Sequence, residues 1–217
     1  MRVRFMCRGR VMDGLEDCVE TERLVVYGFG GLGEVRYDQE LRGESDYFER
    51  VARLSKQTKG VVVCGCVTDT RGMKRKSALI AEDGKLRGVS DMSHVVDGIA
   101  SPGADLRVYD TKIGRMGVAV AEDVLFPEVI SALAACGSDV IVCPFGAVQD
   151  NAIGVVLRAY AYLYGIPILL CGVGYCMAVE ADGTVAMATP QSPAVFMLEN
   201  RKRYHLVETR RRGYFDV

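Results

Sequence analysis

Two kinds of apolar pattern alternate along this chain of 217 residues. Short unbroken blocks, Arg23–Tyr27 (RLVVY), Val61–Val67 (VVVCGCV), Met116–Ala121 (MGVAVA), Ser138–Pro144 (SDVIVCP) and Ile166–Cys171 (IPILLC), have the length and composition of strands covered on both faces. Between them the spacing is helical. Glu44–Lys59 sets Phe48, Val51, Ala52 and Leu54 along one side of a charged segment that ends at Gly60, and Val129–Ala135 and Ile153–Tyr164 read as two further helices, the first stopped by Gly137. Met1–Cys7 alternates as an opening strand does, with a short helix predicted over Leu15–Val19. Two Asp-Gly pairs predict hairpins: Lys76–Ala81 folds onto Lys85–Val89 through Asp83-Gly84, and Ala178–Ala186 turns at Asp182-Gly183. Strands and helices that alternate, with two hairpins inserted, predict an α/β fold in which mixed sheets carry helices on their outer faces. Two such sheets make an α-β-β-α sandwich, here a single domain over residues 1–217.

Charge and composition narrow the function. A net charge of −1 argues against a nucleic-acid partner, and the basic clusters Arg201–Arg203 and Arg210–Arg212 read as a solvated tail or a subunit contact. No segment approaches the ~18 consecutive apolar residues of a membrane span, and the start lacks a secretory apolar region, so a cytoplasmic protein without membrane contact is expected. Cys64, Cys66, Cys143 and Cys171 all fall inside apolar strands, where buried free thiols are the expectation. With only His94 and His205 to add to the Cys64-x-Cys66 pair, neither a metal nor another cofactor is expected. Gly28–Gly33 (GFGGLG) follows a strand and matches G-x-G-x-x-G, which keeps a nucleotide-binding protein among the alternatives. However, the next segment, EVRYDQELRG, is polar rather than helical, and Asp69 lies too far along to hold a ribose. A flexible glycine loop closing a pocket is the reading preferred.

The stretch Lys112–Glu128 (KIGRMGVAVAEDVLFPE) concentrates the candidate chemistry. Its apolar strand stops at Glu122 and Asp123, and Phe126-Pro127-Glu128 opens a helix, so strand, sharp turn and helix follow without slack. This pattern resembles K-I-G-x-x-I-C-Y-D-x-x-F-P-E of the nitrilase or carbon–nitrogen hydrolase superfamily; Gly114, Gly117, Asp123, Phe126, Pro127 and Glu128 fit, whereas Ala121 and Glu122 do not. Further likenesses follow in order: Arg23–Gly33, the hairpin Ala78–His94, Ser138–Phe145, Arg158-Ala159, Val179–Val185 and the final RRRGYFDV.

The resemblance implies the α-β-β-α sandwich and a homo-oligomer, with dimers formed sandwich against sandwich through helices. It also implies a chemistry in which a cysteine attacks an amide or nitrile carbon, a glutamate shuttles the proton and a lysine stabilises the tetrahedral adduct. Carried onto this chain, those three positions fall on Phe29 (glutamate), Met92 (lysine) and Ala121 (cysteine), so no catalytic residue is assigned. Losing such a nucleophile costs on the order of a millionfold in turnover. The three replacements agree with one another, because removing one member of a buried acid–ammonium pair costs about 3–5 kcal/mol while replacing both by apolar groups does not.

The first expectation is therefore a non-catalytic binding or assembly subunit with room for a small-molecule ligand. Glu122, Asp123, His94 and Phe145 are the pocket candidates. Glu122 and Asp123 either recognise a cation or amine, or serve structurally, Asp123 capping the next helix and Glu122 pairing with a basic residue. The alternative enzyme would hydrolyse carbon–nitrogen bonds other than peptide bonds through a relocated thiol, Cys143 or Cys171.

Overall fold

The computed structural model describes residues 1–13, 23–94, 96, 98, 100–103, 105–148 and 152–199. The expected helix at Leu15–Val19, His205 and both basic clusters lie outside the described residues.

Two mixed sheets stack face to face. The first contains β1 (Arg2–Met6), β2 (Leu24–Tyr27), β3 (Glu34–Arg36), β4 (Val61–Thr70), β5 (Met73–Glu82), β6 (Lys85–Asp91) and β13 (Ala194–Met197), in the order β13-β1-β2-β4-β5-β6 with β3 also on β4. The second contains β7 (Val108–Thr111), β8 (Gly114–Val118), β9 (Val140–Ala147), β10 (Ile168–Val173), β11 (Cys176–Val179) and β12 (Val185–Thr189), in the order β12-β11-β10-β9-β8-β7. Each sheet has three parallel central strands, β1-β2-β4 and β8-β9-β10, and antiparallel flanks.

Alternation along the central strands explains why they read as unbroken apolar blocks. Val61 and Val63 of β4 and Val140 and Val142 of β9 enter the core between the sheets; Val62 and Cys64 face the layer of helix α2 (Tyr47–Thr58), and Ile141 and Cys143 face α3 (Pro127–Ala135) and α4 (Ala152–Tyr164). Both faces of these strands are dry, so both alternating sets must be apolar. Helix α2 buries Val51, Ala52 and Leu54 as its periodicity predicts, together with Ser55 and Thr58, whose hydroxyls donate to the carbonyls of Ala52 and Leu54. The Asp83-Gly84 hairpin also forms as expected, both residues having positive φ (50° and 79°).

No helix backs the glycine loop directly, in line with the polar character of EVRYDQELRG. Gly33 is followed by β3 rather than by a helix, and the short helix α1 (Tyr37–Arg42) comes only after it, so the helix required behind a dinucleotide fingerprint is missing at that place. Nor is the loop slack. A Cβ on Gly28 would lie 2.6 Å from the Gly172 carbonyl oxygen, and one on Gly31 2.7 Å from the Cys64 sulfur, so these glycines allow the end of β2 to press against the opposite sheet and its own neighbour. The Phe29 N–H donates to the Phe145 carbonyl at 3.2 Å across the same junction.

We expect Gly28→Ala to lower stability by about 1–3 kcal/mol through overpacking against backbone. Gly43→Ala, at φ 72° in open space, should lose only the left-handed backbone preference, about 1 kcal/mol. Urea denaturation of the two variants checks the ranking, and equal losses would contradict the packing role.

Candidate functional site

Strand β8 ends at Val118, and Ala119 N–H still bonds the Val142 carbonyl of β9 at 3.1 Å. Val120 is extended, Ala121 swings to φ 51°, and residues Ala121–Leu125 form a single 3-10 turn before Pro127 starts α3. A positive φ costs a non-glycine residue about 1–2 kcal/mol. The turn is closed by Asp123 N–H to the Val120 carbonyl and Phe126 N–H to the Asp123 carbonyl, both 3.1 Å. This is an elbow: a strained apex between a buried strand and a helix, the local shape that elsewhere exposes a nucleophile. Here the apex side chain is a methyl group, 1 % exposed.

Asp123 holds the elbow to the opposite sheet. Its wholly buried carboxylate accepts from the Ser93 N–H (2.7 Å), the His94 N–H (3.1 Å) and His94 Nδ1 (2.8 Å), all just beyond β6. It therefore does not cap α3, which has no side-chain cap, and that expectation is corrected. The fixed backbone donors of the neighbouring segment outcompete the helix terminus for the carboxylate. The His94 ring stacks on Phe126, centroids 3.8 Å apart and planes 7° from parallel, with Nε2 3.4 Å from a Glu128 carboxylate oxygen. With Nδ1 committed to Asp123, His94 is a clamp between the two sheets.

Glu122, the next residue, points elsewhere. Both its oxygens receive the Lys76 ammonium of β5, at 3.0 and 2.9 Å, in a half-buried pair. Lys76 is the residue the sequence reading passed over, although the pattern carried a signal. Ala78 and Ile80 of β5 face the core between the sheets, and Lys76 occupies the same alternate set, where a lysine must find a partner. Three further residues lie close by in that core: Met92 fully buried, Ala121 1 % exposed, and Phe29 packed against it with its ring over Gly65. The slot is thus apolar at those three places, and an ion pair stands beside it.

Phe145 is buried at the end of β9 and helps line a cavity of about 300 Å³ with Glu122, Leu125, Ala147, Val148, Ala152 and Ile153. Phe29, Met92, Ala121 and His94 do not line it. Cys143 lies near, its sulfur 3.6 Å from the Ala121 carbonyl, yet it faces the helix layer, whereas Cys171 faces the core between the sheets and its thiol bonds the Val26 carbonyl at 3.2 Å. Burial pushes both thiols well above the ordinary range, and the Asp123 and Glu122 carboxylates push Cys143 further. Among the described residues no cluster of three His, Cys, Asp or Glu side chains is placed to hold a metal ion.

Asp123→Ala leaves two backbone N–H groups without their acceptor, and we expect a loss of about 1–3 kcal/mol for each. A double-mutant cycle with His94→Ala, followed by chemical denaturation, should return a coupling of about 0.5–3 kcal/mol. Additive losses would mean that the two side chains do not act as one clamp.

Comparison with known proteins agrees with this architecture. Residues 26–199 match the carbon–nitrogen hydrolase family. The Nit3 protein of Saccharomyces cerevisiae, a member of branch 10 of the nitrilase superfamily, superposes with a TM-score of 0.73 at 17 % identity, covering 90 % of this chain and 88 % of that one. An amidase from Nesterenkonia sp. gives 0.75 at 18 % identity over 90 % and 88 %, and a carbon–nitrogen hydrolase from Helicobacter pylori G27 gives 0.74 at 16 % over 90 % and 87 %. In sequence, 75 residues are 36 % identical to the citrullinase of Francisella tularensis subsp. tularensis, a match spanning 31 % of this chain and 26 % of that protein. Among the described residues no helix is long and apolar enough to cross a membrane. With its two-sheet α/β fold and a family match running from β2 into the end of the described chain, the protein belongs to the carbon–nitrogen hydrolase family.

Proposed function

We propose that this chain keeps the carbon–nitrogen hydrolase scaffold without its hydrolytic chemistry and acts as a non-catalytic binding or assembly subunit. The observation that carries the reading is the apex of the elbow. The strained φ of 51° is present at Ala121, but the side chain there bears no attacking atom. Met92 and Phe29 fill the neighbouring positions with apolar groups that neither move a proton nor hold a negative charge, and together they spare the core the cost of an unpaired buried ion.

The second reading, hydrolysis of a carbon–nitrogen bond by a relocated thiol, draws on Cys143 because of its 3.6 Å approach to the Ala121 carbonyl. Its surroundings oppose the role. A thiol with no exposed surface, raised by burial and by two carboxylates, is not the thiolate that attacks carbon. Cys171 is disfavoured in the same way, and a nucleotide-binding role for Gly28–Gly33 lacks the helix it would use.

The expected partner is a second copy of the chain. Helices α3 and α4 carry only Glu128 and Arg158 as charged residues, and α4 leaves Val155 67 % and Tyr162 49 % exposed, a surface suited to burial against an equivalent one.

Two measurements test these statements. Iodoacetamide labelling followed by mass spectrometry should show Cys143 and Cys171 reacting only as the protein unfolds, while the exposed Cys136 reacts promptly; fast labelling of Cys143 in the folded protein would favour the relocated nucleophile. Sedimentation equilibrium should give a dimer that Val155→Glu converts to monomer, and a monomeric parent protein would contradict the assembly.

A further inference from the structure

Two cysteines outside the candidate site share one cover. Cys7 follows β1 of the first sheet and Cys176 opens β11 of the second, and both are buried in the core between the sheets, Cys7 with 4 % exposure and Cys176 with none. Against them the chain crosses from β12 to β13 by a short strap in which Pro190 and Gln191 are exposed. Three successive carbonyls at its start take the two thiols. Cys176 Sγ donates to that of Thr189 at 3.5 Å, and Cys7 Sγ to those of Pro190 at 3.7 Å and Gln191 at 3.3 Å. The strap is pinned once more at Ser192, whose Oγ donates to the Arg8 carbonyl at 2.6 Å and accepts from the Arg8 N–H at 3.0 Å. The Gly174 N–H bonds the Cys7 carbonyl at 2.8 Å, which draws the turn between β10 and β11 onto the end of β1. The thiols thereby meet: burial pushes that of Cys176 up to about 12, and the neighbouring Cys7 thiol, hydrogen-bonded to it, adds to the rise. Cys171, opposite Cys176 in the ladder, directs its sulfur to the Val26 carbonyl instead.

We propose that Cys7 and Cys176 are a redox-sensitive pair that a small hydroperoxide joins into a disulfide, and that the disulfide frees the strap between β12 and β13. Cys7, the thiol with some exposure, reacts first. Its sulfur attacks the peroxide oxygen, the O–O bond breaks, an alcohol or water leaves, and a sulfenic acid remains. The Cys176 sulfur then attacks that of Cys7 and water leaves, so the two thiols lose two hydrogens and two electrons to the hydroperoxide. Burial keeps Cys176 protonated, which makes this second step slow and the pair responsive to sustained rather than brief exposure. A disulfide carries no S–H, so the carbonyls of Thr189, Pro190 and Gln191 lose these donors and the strap turns toward water.

Treatment of the parent protein with hydrogen peroxide, followed by non-reducing peptide mass spectrometry, tests the pair. We expect a Cys7–Cys176 cross-linked peptide that a phosphine reductant reverses. Hydrogen exchange over residues 187–192 should be at least about threefold faster in the oxidised protein, the effect of losing weak hydrogen bonds. Cys176→Ser, which keeps a donor for the Thr189 carbonyl, should show neither change after peroxide. Exchange that still quickens in that variant would trace to oxidation elsewhere and overturn the coupling. The parent protein decides the matter even where the variant folds poorly. Cys7 and Cys176 staying reduced while the exposed Cys136 is fully oxidised, a disulfide from Cys176 to Cys171, or a Cys7–Cys176 disulfide with unchanged strap exchange would each overturn the proposal.

Discussion

One buried carboxylate ties the architecture together. Asp123 sits in the turn after β8 of one sheet, and its three acceptor contacts all go to Ser93 and His94, just after β6 of the other. A charged group with no exposure is tolerated only when its hydrogen bonds are complete, so its presence fixes the separation and register of the two sheets at this end of the sandwich. The strained backbone at Ala121 persists because this clamp, the β8–β9 pairing and the start of α3 over-determine the turn from three sides. The glycine contacts of Gly28 and the Phe29-to-Phe145 hydrogen bond close the same end from the β2 side.

Phe29, Met92 and Ala121 place a phenyl ring, a thioether and a methyl group at this end of the core, and two of them are essentially without solvent contact. Beside them the Lys76 ammonium meets both oxygens of the Glu122 carboxylate. On the proposed reading a selected scaffold is retained because Asp123, Ala121 and the glycine junction are structural in their own right. Their removal would loosen the fold whether or not a reaction takes place.

The sequence carried most of the architecture for a definite reason. Central strands buried on both faces must be continuously apolar, and α2 must be amphipathic, so β2, β4, β8, β9, β10 and α2 all leave an unmistakable pattern. What stayed hidden was short, peripheral or set by tertiary partners. Strand β3 buries Val35 alone, α1 buries nothing, and β7 and β13 have four residues each, too few to show a period. At the site, the strand–turn–helix around Ala121 was legible from its flanking motif, while the capping role expected of Asp123 is not the one it takes. Next to a helix start a carboxylate reads as a cap, and the backbone donors that claim it come from about thirty residues upstream. Lys76 was overlooked because a lysine inside a hairpin strand normally points to solvent; its alternation with Ala78 and Ile80 gives the opposite orientation.

The claim that the scaffold stands without its chemistry is tested most directly by measuring ammonia released from a panel of short amides and nitriles by the purified parent protein and its Cys143→Ala and Cys171→Ala variants. The account predicts release equal to the buffer blank in all three. Turnover above the blank that disappears with either cysteine would contradict it.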